Sequence, residues 1–255
     1  MTNPRDHARH PQRVGPDAAT DSAGLPWARR ALTPSGFEND SGASDPAVLA
    51  ALVADDEEAM MAMLAAARLL VAVVAHADEM VHDAAGLAHD TAVDMALVTL
   101  TAPDGRRALP AFTGVAELAA WDQAARPVPV AAATLAQAAI AESCQVVVVN
   151  LGLASARELR PSQVWALAMQ RTWLPPDRDP FVHAALGAAV ASEPEVTAYG
   201  TYAAQPAGTV GVELTLVAGL DHAAIESLVT RVGERLATDG EFRARIDGLA
   251  FRLAG

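Results

Sequence analysis

The chain has 255 residues, of which 52% are hydrophobic, and its formal net charge at pH 7 is −13. This length and apolar content suffice for a sizeable core in one large domain or two ordinary ones. The negative charge disfavours nucleic-acid binding, because basic side chains hold most phosphate groups. All 18 basic residues are Arg. The lack of Lys excludes a Walker-type phosphate loop and Schiff-base chemistry.

The first 45 residues are rich in Pro, Gly, Ser, Asp and Arg and show no hydrophobic period, which predicts a disordered tail. Their start has no apolar stretch typical of a secretory signal, and the chain has one cysteine, so we expect a cytoplasmic protein. Residues 60–75 are apolar but short, and Arg68 at their centre disfavours a membrane span. We therefore expect a buried helix followed by a buried strand.

Residues 46–172 alternate predicted helices and strands, which is typical of an α/β sandwich with a mixed sheet. Asp45 precedes Pro46 at a predicted helix start, and Asp55 with Glu58 resembles a capping pair for a second helix. The β-branched segment 69–75 predicts a strand that is covered on both faces. The remaining predicted strands are 128–131, 145–149 and 157–161, and the remaining predicted helices are 114–121, 135–143 and 162–169.

The segment 95–114 predicts a β-hairpin that leads directly into a helix. Pro103, Asp104 and Gly105 supply the turn between two apolar runs. Pro110 interrupts the second strand, so we expect it at an edge, at a bulge, or where its missing N–H has no partner. Thr113 or Gly114 then caps the short helix.

Residues 173–180 (WLPPDRDP) predict a linker, because three prolines and three charges discourage helix and strand. Beyond it, residues 181–255 predict a smaller α+β module with the order αββαβ. Its first helix begins at Asp179 and Pro180, and Asp221 caps its second and most amphipathic helix. Its predicted strands are 196–202, 210–218 and 246–253.

Several motifs together resemble the SseB-like family, named for enhanced serine sensitivity. They are the strand LLVAVV (69–74), the hairpin DMALVTLTAPDGRRALPAFTG (94–114), LAAWD (118–122), ARPVPV (125–130) and VVVN (147–150). The resemblance covers about residues 48–170 well and the C-terminal part more loosely. The family usually has proline where this chain has Ala72 and Leu151. It implies a soluble cytosolic α/β protein with no established catalytic residue or cofactor.

One acidic segment contains every clustered candidate metal ligand. Glu79, His82 and His89 would share one helix face. A di-iron bundle needs a second Glu-x-x-His pair, and Gly86 weakens the helix. We therefore expect a solvated loop or helix and no metal. The segment comprises His76, Asp78, Glu79, His82, Asp83, His89, Asp90 and Asp94.

Two further hypotheses concern single residues. Cys144 lies between a predicted helix and strand with no histidine near it in sequence, so burial is favoured over nucleophilic catalysis. Arg107, Thr113 and Asn150 are candidate ligand or partner contacts, because strand ends in α/β sheets often form crevices. The alternative is structural, with Thr113 as a cap and Asn150 as a turn residue.

The sequence thus predicts a non-enzymatic cytoplasmic protein that serves as an interaction or regulatory module. We expect a protein partner, no nucleic acid, no membrane and no cofactor, and a homo-oligomer is left open. The alternative is a protein that binds an amino-acid-like small molecule near Arg107, Thr113 and Asn150.

Overall fold

The computed structural model describes residues 36–76, 94–102 and 105–254. The chain divides into two units, Met1–Asp40 and Ser41–Gly255. In the first unit, residues 36–40 contain a turn in which the Asp40 amide donates to the Phe37 carbonyl at 3.0 Å. Residues 1–35 of the predicted tail, the tip of the predicted hairpin turn and most of the candidate metal segment lie outside the described residues.

The N-terminal part of the second unit is a seven-stranded mixed sheet with helices on both faces, counted over the described residues. This confirms the predicted fold class. The strands are β1 (Arg68–His76), β2 (Asp94–Leu97), β3 (Leu100–Thr101), β4 (Arg107–Phe112), β5 (Arg126–Ala131), β6 (Val146–Val149) and β7 (Arg157–Leu159). The helices are α1 (Pro46–Val53), α2 (Glu57–Ala65), α3 (Val115–Trp121), α4 (Ala132–Ala141) and α5 (Pro161–Ala168).

The long strand β1 organises this sheet. One of its edges pairs with β5, and the other pairs first with β4 and then with β2, all antiparallel. The short strand β3 continues from β2 and pairs with β4, and β4 in turn runs parallel to β6. The β2 and β3 strands therefore fill the fork where β1 and β4 diverge.

Pro110 lies at this fork. The carbonyls of Arg107 and Ala111 accept hydrogen bonds from the β6 side, so the backbone of Pro110 turns the opposite way, because N–H directions alternate along a strand. On that side β4 pairs with β3 through Ala108 and with β1 through Phe112. At Pro110 the side of β4 that would need an N–H lies between its pairing with β3 and its pairing with β1, where no strand requires a donor. This is one of the positions that the sequence predicts for this proline.

Both faces of β1 are buried, as its β-branched sequence predicts. Leu69, Val71 and Val73 pack in the larger core beneath α1, α2, α4 and α5. Leu70 and Ala72 point the other way and pack with α3. The buried helix and strand at 57–76 therefore agree with the expectation for this apolar stretch, and no helix in the described residues is long and apolar enough to cross a membrane.

The hairpin and the helix starts follow their predicted chemistry with one correction. Strands β3 and β4 pair antiparallel, and Gly105 has φ +84° and donates its N–H to the Ala102 carbonyl at 2.9 Å. Asp45 caps α1 as expected. The cap of α2 is Asp56 and not Asp55, because the Asp56 carboxylate reaches the amide of Ala59, three residues on, at 2.9 Å.

The C-terminal part is a three-stranded sheet with helices on one face. It contains α6 (Pro180–Val190), β8 (Val196–Ala204), β9 (Thr209–Leu216), α7 (His222–Thr238), α8 (Gly240–Arg245) and β10 (Gly248–Leu253). Strand β9 lies in the centre, antiparallel to β8 and parallel to β10. Val210, Val212 and Leu214 of β9 face a second core that α6 and α7 cover.

Carboxylates and arginines join the two parts. Asp247, which precedes β10, accepts from the Ser162 amide at 2.8 Å and from Arg160 Nε at 3.0 Å. The C-terminal part thereby caps the first turn of α5. Other ion pairs between the two parts are Arg171 with Glu241 and Arg178 with Glu58.

Candidate functional site

Thr113 and Asn150 meet at one edge of the large sheet. They follow β4 and β6, and the carboxyl ends of parallel strands lie at the same edge. The Thr113 amide donates to Asn150 Oδ1 at 2.9 Å, and Asn150 Nδ2 donates to Thr113 Oγ1 at 3.1 Å. Asn150 Nδ2 also reaches Ser155 Oγ at 3.0 Å. Thr113 is 2% exposed and Asn150 is fully buried, so these polar groups serve each other.

The backbone of Asn150 explains why an asparagine follows β6. Its φ of +52° lies in the left-handed region, which asparagine tolerates better than most residues. Its amide donates to the Ala111 carbonyl at 2.8 Å, and its carbonyl accepts from Leu153 at 3.1 Å. The residue therefore ends β6, begins a turn and fixes the end of β4.

Ser44, which precedes α1, and Arg68, the first residue of β1, complete this cluster. Ser44 Oγ lies 2.9 Å from Thr113 Oγ1 and donates to Glu117 Oε2 at 2.5 Å. Arg68 donates to the carbonyls of Thr113 and Ala43, at 2.8 Å each. Sequence reasoning missed both contacts. Arg68 could have indicated such a contact, because a cation within an apolar run needs hydrogen-bond acceptors. The sequence does not identify which residues supply them.

The cluster borders a hollow of about 170 Å³ between the segment before α1 and the start of β1, lined in part by Asp45, Arg68 and Thr113. The Arg68 guanidinium already binds two backbone carbonyls at this place. Gly114 allows the close approach, because a Cβ there would lie 2.7 Å from the backbone nitrogen of Ser44. The arrangement thus attaches the chain before α1 to the sheet.

Arg107 lies at the other end of β4. Its guanidinium is 3.2 Å from Thr99 Oγ1 and 3.7 Å from the Glu142 carboxylate. Six residues of strand span about 20 Å, so the structure brings Thr113 and Asn150 together and separates Arg107 from both. Phe112 and Trp121 pack on each other in the core with ring centroids 5.3 Å apart.

The structure describes Cys144 but only the two ends of the candidate metal segment. Cys144 is 7% exposed, and burial raises the pKa of its thiol above the ordinary value. A raised pKa disfavours the nucleophilic thiolate. The metal segment lies outside the described residues apart from the backbone of His76 and Asp94. Among the residues that are described, no three His, Cys, Asp or Glu side chains are placed to hold a metal ion.

A larger hollow lies between α2, α4 and the end of α5, and we call it the α2–α5 groove. Its volume is about 400 Å³. Ala62 and Ala65 line it from the exposed side of α2, and the buried side chains of Met61, Leu167 and Trp173 provide apolar surface. Its remaining lining residues are Glu58, Ala133, Ala166, Gln170, Arg171 and Thr172. Sequence reasoning missed this groove, because the lining residues come from helices far apart in the chain.

Ion pairs surround the groove. Glu58 pairs with Arg178 at 3.0 Å and Arg171 pairs with Glu241 at 2.8 Å. The Arg160 guanidinium lies over the Trp173 ring, with its carbon 5.9 Å from the ring centroid. Trp173 Nε1 donates to Ser162 Oγ at 3.3 Å. The indole is therefore fixed in the wall, so the groove is formed before any ligand binds.

Comparison with known proteins finds a family domain that contains the sheet-edge cluster of Thr113 and Asn150 and part of the groove. Residues 46–166 match the model of the SseB protein N-terminal domain. Searches of curated proteins and of solved structures found no match. The matched range runs from the start of α1 into α5 and includes Thr113, Asn150 and the α2 wall of the groove. The chain carries an SseB N-terminal domain, and this match supports the SseB-like assignment that its motifs predicted.

Proposed function

We propose that this chain is a non-enzymatic cytoplasmic protein that binds a partner protein in the α2–α5 groove. The observation that carries the proposal is the groove itself, with about 400 Å³ of space beside Met61, Leu167 and Trp173. Pockets of this volume with apolar walls hold ligands and anchor side chains. The lone, buried Cys144 supports the cytoplasmic location, since the chain cannot form an internal disulfide.

The shape of the groove favours an amphipathic helix as the bound segment. Ala62 and Ala65 on one wall and Ala133 and Ala166 on the others are small, so a helix backbone can approach closely. Met61 and Leu167 then offer contacts to a large apolar side chain of the partner. A helix that inserts one such anchor would bury the exposed wall of α2.

Charge favours a basic partner segment. Glu58, the last residue of the acidic run 55–58, lines the groove, and the net charge of the chain is −13. Arg160 and Arg178 neutralise Glu57 and Glu58. Asp55 is exposed and has no ion pair among the described residues. A basic residue at one end of the bound helix would therefore find an unpaired carboxylate, and opposite charges also accelerate association.

The use of the polar residues at the sheet edge supports a binding function over a chemical one. Thr113 and Asn150 direct their donors and acceptors at each other and at neighbouring serines. Groups that act on a substrate must be directed at the place where the substrate binds. At this edge of the sheet the polar groups instead maintain the fold.

The test compares two phenylalanine substitutions on one helix. Ala62→Phe fills the groove, whereas Ala59→Phe places the same ring on an exposed position of α2 that does not line it. Each tagged chain is used to capture proteins from a lysate, after circular dichroism has shown equal folding. We expect Ala62→Phe to lose a partner that wild type and Ala59→Phe retain. A partner that all three retain contradicts the groove as its binding site.

A thermal-shift screen with amino acids tests the alternative of a small-molecule ligand. A ligand present at about 100 times its dissociation constant stabilises a protein by about 2.7 kcal/mol. We expect no shift from any amino acid. A shift that Asn150→Ala abolishes and Ala62→Phe leaves intact would support a ligand at the sheet edge and contradict the partner proposal.

A further inference from the structure

The outer strand of the C-terminal sheet exposes a row of backbone groups. The Leu214 carbonyl accepts from Ala254 N, on the β10 side, so the even-numbered residues of β9 turn their backbone groups toward β10. The odd-numbered residues of β9 therefore turn toward β8, where they pair with Ala198, Gly200, Tyr202 and Ala204.

The alternate residues of β8 are Tyr199, Thr201 and Ala203, and their N–H and C=O groups point away from the sheet. We call these groups the β8 edge. None of them has a hydrogen-bond partner within the described ranges 36–76, 94–102 and 105–254. The side chain of Thr201 is hydrogen-bonded to residues around the start of α6, with its Oγ1 3.2 Å from the Asp177 carbonyl and 3.1 Å from His183 Nε2. The edge is thus fixed and open.

The outer strand β5 of the large sheet is protected from such pairing. The Ala132 amide donates to Ala67, on the β1 side, so the even-numbered residues of β5 face β1 and the odd-numbered residues face outward. Pro127 and Pro129 occupy outward positions and remove the N–H groups that a further strand would need. The opposite outer strand, β7, is protected differently, since it has only three residues.

Strand β8 lacks these protections. It has nine residues, with no proline and no charged side chain from Val196 to Ala204, whereas β10 is shorter and carries Arg252. Its irregular pairing is confined to one end, between Val196 and Ala198. Long uncharged edges of this kind are templates for another strand. Tyr199 on this edge is also 42% exposed, which is high for a large aromatic residue.

Charge and symmetry favour a second copy of the chain as the occupant. Two chains of net charge −13 repel each other, so they approach best where neither presents a charge. An antiparallel strand is complementary to its own copy across a two-fold axis. With Thr201 opposite Thr201 of the copy, Tyr199 lies opposite Ala203, and all outward groups find partners.

We propose that the chain forms a two-fold dimer in which β8 pairs antiparallel with β8 of the second copy, so that the two small sheets become one of six strands. The proposal is independent of the α2–α5 groove, which lies in the other part of the chain. Pairing of β8 with β10 of another copy is the competing arrangement, and it would produce open polymers because the two surfaces differ.

Sedimentation velocity on the full chain over a range of concentrations tests the dimer. We expect a species of about twice the 26.4 kDa chain mass. Ala203→Pro removes one outward N–H and no hydrogen bond to β9, and it should halve the mass without altering the circular dichroism spectrum. Ala203→Val keeps the N–H and should stay dimeric. A monomeric wild type, a series of larger polymers, or a dimer that survives a folded Ala203→Pro would overturn the proposal.

Hydrogen exchange of the wild type gives a second readout should the proline variant not fold. The amides of Tyr199, Thr201 and Ala203 should exchange at least about tenfold more slowly at high protein concentration than at low. The amides of Gly200 and Tyr202, which β9 already binds, serve as the internal control. Exchange at the outward amides that does not depend on concentration contradicts β8 pairing.

Discussion

The side chain of Asn150 meets three requirements at one position. It adopts a left-handed backbone, accepts from the Thr113 amide and donates to Ser155, all inside the protein. Aspartate could supply the acceptor but not the amide donor, and glycine could supply only the backbone. This combination explains why a polar residue can follow the apolar strand β6 without exposure to water.

We predict that Asn150→Ala lowers the free energy of unfolding by about 3 kcal/mol, because it strains the backbone and leaves buried donors without partners. Asn150→Gly removes the strain but not the loss of hydrogen bonds, so it should cost less. Urea unfolding of the three chains measures both effects. If Asn150→Ala is as stable as wild type, the structural role that we assign to Asn150 is contradicted.

Glu193 is a second buried polar residue, and its charge makes it sensitive to acid. Its carboxylate is only 2% exposed and binds Arg231 at 2.5 Å and also Arg235. The hydrogen bond from Arg231 lowers the pKa of Glu193 below the ordinary 4.5. A lowered pKa in the folded state means that the stabilisation is complete above about pH 4.5. It is lost as the pH falls through the lower folded value.

We predict that Glu193→Gln makes stability less dependent on pH below 4.5. The slopes of unfolding free energy against pH should differ by at most about 1.4 kcal/mol per pH unit, which corresponds to one proton. Urea unfolding at pH 7 and at several acidic values measures these slopes. Glu226→Gln, at an exposed position of α7, serves as the control and should follow wild type. Equal slopes for Glu193→Gln and wild type would contradict the prediction.

At the scale of elements, Asp247 has a role that no local pattern reveals. It caps α5 from a position 85 residues away, through the Ser162 amide and hydroxyl. It also binds Arg160, which in turn binds Glu57 at the start of α2. One carboxylate therefore connects α5, α2 and the segment before β10.

We predict that Asp247→Ala lowers the free energy of unfolding by about 3 kcal/mol, because it leaves the buried start of α5 without its acceptor and removes one of the two carboxylates that bind the Arg160 guanidinium. Glu213→Gln breaks an exposed pair with Arg252 and should cost at most about 0.5 kcal/mol. Thermal and urea unfolding compare the two variants. Equal costs would show that the Asp247 contact contributes no more than a surface ion pair.

The sequence predicts elements well where chemistry is local. The β-branched run of β1, Gly105 before β4 and the Asp221 cap of α7 all lie within a few residues of what they determine. Helix α8 was missed because six residues with one buried side chain, Phe242, make no hydrophobic period. The break between β2 and β3 was missed because the fork that causes it is formed by β1 and β4.

The candidate site shows the same division. Thr113 and Asn150 could be grouped from the sequence, since both follow predicted strands of an α/β sheet, where strand ends often form crevices. The parallel pairing of β4 and β6, which brings them into contact, came from the structure. Ser44, Arg68 and the α2–α5 groove could not be placed from the sequence, because their partners come from elements whose packing the pattern does not give. The extended length of β4 separates Arg107 from Thr113, although only five residues lie between them in sequence.

For the whole molecule, the question is how strongly the two cores depend on each other. Each part buries its own apolar cluster, yet the buried ion pair between Arg160 and Asp247 crosses between them. The Arg245 guanidinium binds Asp179 at 2.7 Å and lies over the rings of Phe181 and Trp165. A residue of α8 thus contacts the linker, α6 and α5 at once.

We predict that the intact chain unfolds in one cooperative transition, because unfolding of either part alone would break the buried contacts of Asp247 with Arg160 and Ser162. All four tryptophans precede residue 174, so their fluorescence reports the N-terminal part. Hydrogen exchange in β9 reports the C-terminal part. Coincident urea midpoints are expected for both probes, and a C-terminal part that opens at much lower denaturant would contradict this prediction.

The burial of Cys144 provides a probe that needs no engineering. Cys144 is the one cysteine of the sequence, and it lies between α4 and β6, against the larger core. The residue is 7% exposed and borders a hollow of about 340 Å³ on the surface, so alkylation of the native thiol should be slow, and opening of this region should accelerate it. The rate at which the intact mass gains a single adduct therefore reports changes in how well this part of the core is closed.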